Sequence, residues 1–217
     1  MTEPAIRPAA TILLVREGPA GPEVLMGQRG AGAAFMPSKY VFPGGAVDAA
    51  DADVALALAL PDPSALLGGD PGPDTLAAAA IRELWEETGL ALGVPGLWPG
   101  AVPEGWQGFA ARGLRPSAAG LRFVFRAITP PGRTRRFDAR FFLADAAQVV
   151  GDADDFSGAC DELGHLHWIG LAEARALDLP FITEVVLSEA AMILRGGNQP
   201  GVPFFDNSGP VPTFRRL

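Results

Sequence analysis

Cysteine is almost absent from this chain. Cys160 stands alone among 217 residues, so no disulfide can form within it, and the composition fits a reducing cytoplasm. Lysine is as scarce, with Lys39 the only one, and the basic charge is otherwise arginine. The formal net charge is −8, which argues against a general nucleic-acid surface. That charge also repels an anionic substrate at long range, so attraction must come from a bound cation and from locally placed arginines. No apolar run reaches membrane-spanning length, and Met1-Thr2-Glu3-Pro4 lacks the basic and apolar regions of a signal peptide. The ending Arg215-Arg216-Leu217 differs from the Ser-Lys-Leu peroxisomal address. A cytoplasmic chain with no membrane partner is the expectation. The only histidines, His165 and His167, have Cys160 nearby but no fourth ligand at zinc spacing. Cys160 has no visible base and orienter of the kind a nucleophile needs.

What is present is a globular composition, 48% hydrophobic and 19% charged, long enough for one sizeable core. Its most informative stretch is Arg82-Glu83-Leu84-Trp85-Glu86-Glu87-Thr88-Gly89-Leu90. Asp74 follows a proline and can N-cap a helix, Leu76 to Ile81 are mostly apolar helix formers, and Gly89 is a natural stop. At roughly 100° per residue, Glu83, Glu86 and Glu87 share a narrow arc, with Ile81, Leu84 and Trp85 opposite. Arg82 lies four residues before Glu86, close enough to pair with it. Three acids near a helix C-terminus lose about a few tenths of a kcal/mol each and repel one another. A divalent cation reverses that sign, because hard oxygen ligands at this spacing suit Mg²⁺ or Mn²⁺. A solvated acidic helix face is the plainer alternative for such glutamates taken alone.

Arg-Glu-aliphatic-any-Glu-Glu-any-Gly-aliphatic is the second half of the Nudix box, and residues 82–90 resemble it at every fixed position. The first half is Gly, five residues, Glu, and seven residues before the Arg. Counting back from Arg82 reaches Asp74 and Gly68, with Asp in place of Glu. The stretch Tyr40 to Asp48, with Phe42-Pro43-Gly44-Gly45, looks like the strand and glycine turn that enter the box, which is then interrupted between Gly45 and Asp74. A split box of this kind resembles the branch containing the mammalian peroxisomal coenzyme A diphosphatase. Phe35-Met36-Pro37 and Arg136-Phe137-Asp138-Ala139-Arg140-Phe141-Phe142 also have look-alikes there. The resemblance runs from about residue 9 to about residue 194.

Along the chain, residues 9–16 read as a buried strand and 24–29 as its partner across a glycine–proline turn. Arg29, ending the second strand, is read as a phosphate contact or an ordinary surface arginine. Gly44 and Gly45 let backbone N–H groups approach an anion, or simply make a tight turn; placed before the box, they are read as substrate-binding. Residues 53–60 are predicted as a short helix, 106–114 as a second, 121–129 and 137–144 as a hairpin, and 162–169 as the last strand. Helices follow over 171–177 and 182–194, then a tail over 201–217. The tail is expected to pack on the surface or on a second copy of the chain in a homodimer. Arg133, Arg135, Arg136 and Arg140 cluster about the hairpin turn; the resemblance assigns Arg136 and Arg140 to substrate.

The order of elements is mixed α/β, and the resemblance implies a Nudix α/β/α sandwich with a mixed sheet and inserted segments. It implies one domain over residues 1–217, with insertions about 46–73 and 93–120 and a C-terminal extension about 196–217. It further implies metal-assisted hydrolysis of a nucleoside diphosphate derivative. Glu83, Glu86 and Glu87 would hold Mg²⁺ or Mn²⁺, and Arg82 would orient a glutamate. Glu86 is the first candidate general base and Glu162 the second. Coenzyme A or an acyl derivative is the leading small-molecule substrate. An ADP-ribose or NADH type of pyrophosphatase and a catalytically silent nucleotide sensor are the alternatives.

Overall fold

The computed structural model describes residues 3–63, 69–197 and 200–217. Its organising strand is β1 (Ile6–Gly18), whose continuous apolar run is explained by burial on both faces. Ile12 and Leu14 join one core beneath the box helix, while Leu13 and Val15 join a second core on the opposite face. β1 turns tightly into β2 (Gly21–Arg29), and β3 (Tyr40–Val41) pairs with the end of β2. β4 (Gly44–Ala46) lies antiparallel against β1. A Cβ at Gly44 would come within 2.6 Å of Thr11 Cα and 2.7 Å of the Ala10 carbonyl, so only glycine allows this pairing.

A 3-10 turn (Ala49–Asp53) then leads toward the box helix α1 (Pro73–Thr88). The helix predicted over 53–60 is not formed. Ala57 donates to the Pro116 carbonyl and Ala118 to that of Leu58, so the segment runs extended beside a distant strand, and tertiary pairing overrides the Ala/Leu propensity. The cap of α1 also differs from expectation. Gly72 is the N-cap with Pro73 following, and Asp74 is an exposed first-turn residue. Gly68 lies outside the described residues. At the other end Gly89 is left-handed (φ 77°) and its N–H bonds the Trp85 carbonyl at 2.8 Å, the stop that the sequence predicts.

Beyond α1 come β5 (Gly93–Pro95), α2 (Gln107–Ala111) and β6 (Leu114–Pro116), with β5 and β6 forming a small separate sheet. β7 (Arg122–Ile128) and β8 (Arg136–Asp145) form the hairpin, and β8 runs parallel to β1 along ten residues. β9 (Leu163–Gly170) pairs with β2, α3 (Leu171–Ala174) and α4 (Phe181–Leu194) follow, and α4 covers the second core. The tail is not a loose extension. β10 (Pro203–Asp206) pairs in parallel with β7, and β11 (Thr213–Arg216) closes that edge. The mixed sheet runs β11-β10-β7-β8-β1-β2-β3 with β4 and β9 alongside. Helix α1 on one face and α4 on the other make an α/β/α sandwich. Among the described residues no helix is long and apolar enough to cross a membrane.

Candidate functional site

Four fully buried alanines, Ala77 to Ala80, let α1 sit close on the sheet. That closeness brings its acidic end onto β4. An added Cβ at Gly45 would lie 2.5 Å from the Glu83 carboxyl, and the Gly44 N–H donates to Glu87 Oε2 at 2.8 Å. The double glycine is therefore a close-approach surface that places backbone against two carboxylates. Glu87 is buried, and its Oε1 has no hydrogen-bond partner. Burial, then repulsion from Glu83, holds the Glu87 carboxyl well above the usual range. Burial also pushes Glu83 up to about 7, against the pull of Arg82. Glu86 is the most open of the three, with its side chain 39% exposed.

Among the described residues no three Asp, Glu, His or Cys side chains already converge as a ligand set. The donor chemistry nonetheless fits a hard divalent cation. Two mutually repelling carboxylates and one sealed, unpartnered oxygen are what such an ion neutralises. Glu83 and Glu87 are the residues able to hold it, with Glu86 recruited from its contact with Arg82.

Arg82 is buried and chelated. Its Nε and Nη2 donate to both oxygens of Asp51 at 2.9 and 3.1 Å, and its Nη1 donates to Glu83 and Glu86 at 3.0 and 3.1 Å. Nη2 also donates to the Ala46 carbonyl at 3.0 Å. Burial opposes the charge, but these acids outweigh it and the Arg82 pKa is raised. The expected pairing with Glu86 is present, while its main partner, Asp51, is a residue that the sequence reading passed over. A signal existed: Gly45, five residues, Asp51 repeats the spacing of the first half of the box. Arg82 therefore meets Asp51 across the intervening segment, and the acid reached by counting back, Asp74, is exposed on the helix's first turn.

Arg29 and Glu162 face this cluster from β2 and the entry to β9. Their side chains pair at 2.9 Å, and Arg29 Nε is buried without a partner. A register shift between Met26 and Gln28, opposite His165 at φ 49°, re-aims both strand ends. Gly27 makes room for it, since a Cβ there would meet Leu163 and Leu166 at 2.9 Å. Glu162 raises the pKa of both Glu83 and Glu87, and Arg29 lowers that of Glu87, so the four groups share one electrostatic neighbourhood. His165 and His167 meet each other instead, with His167 Nδ1 2.7 Å from the His165 carbonyl oxygen.

The two hairpin arginines assigned to substrate have different surroundings. Arg136 is buried and donates from Nε to the Thr129 carbonyl, from Nη1 to Glu3 and from Nη2 to the Asn207 carbonyl, at 3.0, 2.8 and 2.7 Å. Those bonds tie the segment before β1, the hairpin and the tail together, and they occupy every nitrogen of the guanidinium. Arg140 is also buried, paired with Asp138 at 2.9 Å, yet its Nε is unpartnered. Burial holds its pKa below the ordinary value.

The raised carboxyls set a pH dependence for the metal-free protein. Glu83 binds its proton more tightly folded than unfolded, so its stabilising contribution is present at acid pH and is lost as pH rises through about 7. Glu87, raised in the same direction, adds to the loss. Thermal unfolding in a chelator should show lower stability at pH 8 than at pH 5, by about 1–3 kcal/mol. Added Mg²⁺ or Mn²⁺ should restore stability at pH 8 and do little at pH 5. An unchanged melting point across that range would remove the buried-carboxylate account.

No family model matches the chain. It is 28% identical over 183 residues to a putative nudix hydrolase 7 of Caenorhabditis elegans, a match covering 75% of this chain and 51% of the relative. The chain thus spans about half the length of the curated relative it matches. Its structure is similar to that of a NUDIX hydrolase from Alicyclobacillus acidocaldarius, with a TM-score of 0.67, 27% identity, and 88% and 96% of the two chains covered. An Ap4A hydrolase of C. elegans superimposes with a TM-score of 0.52 at 16% identity, over 88% and 99% of the chains. The fold is the Nudix fold.

Proposed function

We propose that this chain, a member of the Nudix hydrolase superfamily by its fold and by its likeness to the relatives above, hydrolyses the diphosphate bridge of a nucleoside diphosphate derivative with Mg²⁺ or Mn²⁺. One observation carries the reading: the Glu83 and Glu87 carboxylates are pressed against Gly44 and Gly45, with Glu87 Oε1 sealed and unpartnered. The spacing and exposure of a plain acidic surface helix would not produce that cost. Residues 1–217 are read as one Nudix domain, with the insertion following Asp51.

When bound, the cation supplies charge neutralisation at the diphosphate oxygens and a lowered pKa for attacking water. Glu83, Glu86 and Glu87 hold it. Arg82, fixed by Asp51, keeps Glu83 and Glu86 in place and stays out of the chemistry. The glycine turn brings backbone beside the diphosphate, and Arg29 reaches one of its oxygens. Water attacks phosphorus, the bridging P–O bond breaks, and the water proton passes to a carboxylate. Glu86 and Glu162 are the two candidates. Exposure of the Glu162 side chain and its reach to both Glu83 and Glu87 favour Glu162.

Coenzyme A or an acyl derivative is the leading substrate, on the resemblance of the split box and of the segments at 35–37 and 136–142. ADP-ribose and NADH contain the same bond type and are the competing substrates. The test is purified protein with Mg²⁺ or Mn²⁺ against coenzyme A esters, ADP-ribose, NADH and dinucleoside polyphosphates, identifying products by chromatography. Cleavage of at least one at the diphosphate is expected, and Glu162→Gln should lower turnover with KM little changed. Tight binding without hydrolysis of any of them would replace the enzyme with a nucleotide sensor.

A further inference from the structure

The sheet carries one row of residues that leads away from the carboxylates. Gly45 pairs with Ala10, Ala10 with Arg140, Arg140 with Arg126, Arg126 with Phe204, and Phe204 with Arg215. Paired residues share a face, and Ala10 belongs to the core under α1. The row therefore lies on the α1 side, the side where Glu83 meets Gly45. At ~4.8 Å per strand, Arg140 stands ~10 Å and Arg126 ~14 Å from Gly45 along the row.

Three guanidiniums line its far half, with two carboxylates to balance them. Asp138 takes both Nε and Nη2 of Arg126, at 2.8 and 2.7 Å, and also Nη1 of Arg140 at 2.9 Å. Asp206 lies 3.7 Å from Arg215. Arg126 and Arg215 both stack on the Phe204 ring, at 4.4 and 5.0 Å from its centroid. Among the described residues one positive charge is left over in this row, in a chain whose net charge is −8. The sealed Nε of Arg140, on a side chain only 3% exposed, marks where it is least compensated. Buried charged donors without acceptors are costly, and an arriving anion removes that cost.

We propose that this row is a second anion subsite, which takes a phosphate monoester carried by the substrate apart from its diphosphate. The inference rests on the hydrolase reading for the position of the diphosphate at Gly44 and Gly45. A nucleoside whose ribose bears an additional phosphate spans the distance, with Arg140 and Arg126 as the guanidinium fork and Arg215 at the open end. The subsite then selects phosphorylated over unphosphorylated forms of one nucleotide.

Two measurements test it. In titration calorimetry, adenosine 3′,5′-bisphosphate should bind about tenfold more tightly than AMP, the difference expected of one charge-assisted contact. In turnover, coenzyme A should have a lower KM than 3′-dephospho-coenzyme A, and NADPH than NADH, in whichever pair is cleaved. Arg126→Gln and Arg140→Lys should bring these ratios close to one, and Arg215→Gln should reduce them. If buried Arg140→Lys does not fold, Arg126→Gln and Arg215→Gln carry the test. Ratios near one in the unmodified protein, or ratios that survive in Arg126→Gln, overturn the subsite. Preferential binding of the bisphosphate with no diphosphate cleaved would keep the subsite and sink the hydrolase reading.

Discussion

Glu87→Gln should lower turnover by about three orders of magnitude, ~4 kcal/mol in the barrier, and at the same time make the metal-free protein more stable. Both directions follow from one side chain. The Gly44 N–H needs an acceptor at 2.8 Å, and the amide oxygen of glutamine can provide it in the same volume. What disappears is the charge, and with it the affinity for a cation that the acidic site is proposed to hold. The other carboxylate oxygen is buried without a partner and its pKa is held well above normal, so at neutral pH the native fold carries an uncompensated polar group. Replacing the carboxylate by a neutral amide ends the burial cost of its charge and its repulsion from Glu83, which should relieve about 1–3 kcal/mol in the absence of metal. Function and stability then move in opposite directions, as expected when a strained group is kept for its chemistry. The check is steady-state kinetics beside urea unfolding in a chelator. Near-native turnover would end the metal role of Glu87, and a less stable variant would end the claim that its charge is buried at a cost.

The parts of this site that sequence makes legible are the local ones. Glu83, Glu86, Glu87, Arg82 and the Gly89 stop all sit within one helix, where a 3.6-residue period fixes which side chains share a face. Gly44 and Gly45 are readable for a similar reason, because the backbone approach they allow is a property of the residues themselves. Asp51 was hidden because its partner lies 31 positions away, across an insertion whose length no propensity encodes. Counting back from Arg82 assumed an uninterrupted chain and landed on Asp74. Arg136 is assigned to substrate by the resemblance of residues 136–142, which says nothing of its hydrogen bonds to Thr129 in the same hairpin and to Glu3 and Asn207 far along the chain. The tail, residues 201–217, is expected from sequence to pack on the surface or on a second copy, with no strand predicted in it. Its two strands are short and gain stability only from pairing with β7 and each other.

The largest stability effect should come from the residue that local reasoning missed. Asp51→Ala should destabilise the protein by about 3–5 kcal/mol, because it leaves the Arg82 guanidinium buried without its bidentate partner. For a chain of this length that is on the order of a 10 °C fall in melting temperature. Glu83 and Glu86 cannot compensate. They meet Nη1, whereas Asp51 holds Nε and Nη2. Asp51 also accepts the Asp48 N–H at 2.8 Å, so the 3-10 turn that follows β4 loosens with it. Asp74→Ala is the matched control. That carboxylate is exposed at the start of α1, where its favourable interaction with the helix N-terminus is about a few tenths of a kcal/mol. The comparison decides which aspartate completes the box. A large loss for Asp51→Ala with a near-silent Asp74→Ala means that the interrupting segment follows Asp51 and that Arg82 is positioned across it. Equal, small losses would mean that Arg82 holds its glutamates without Asp51, and the account of how the acidic face is aimed at the glycine turn would fail.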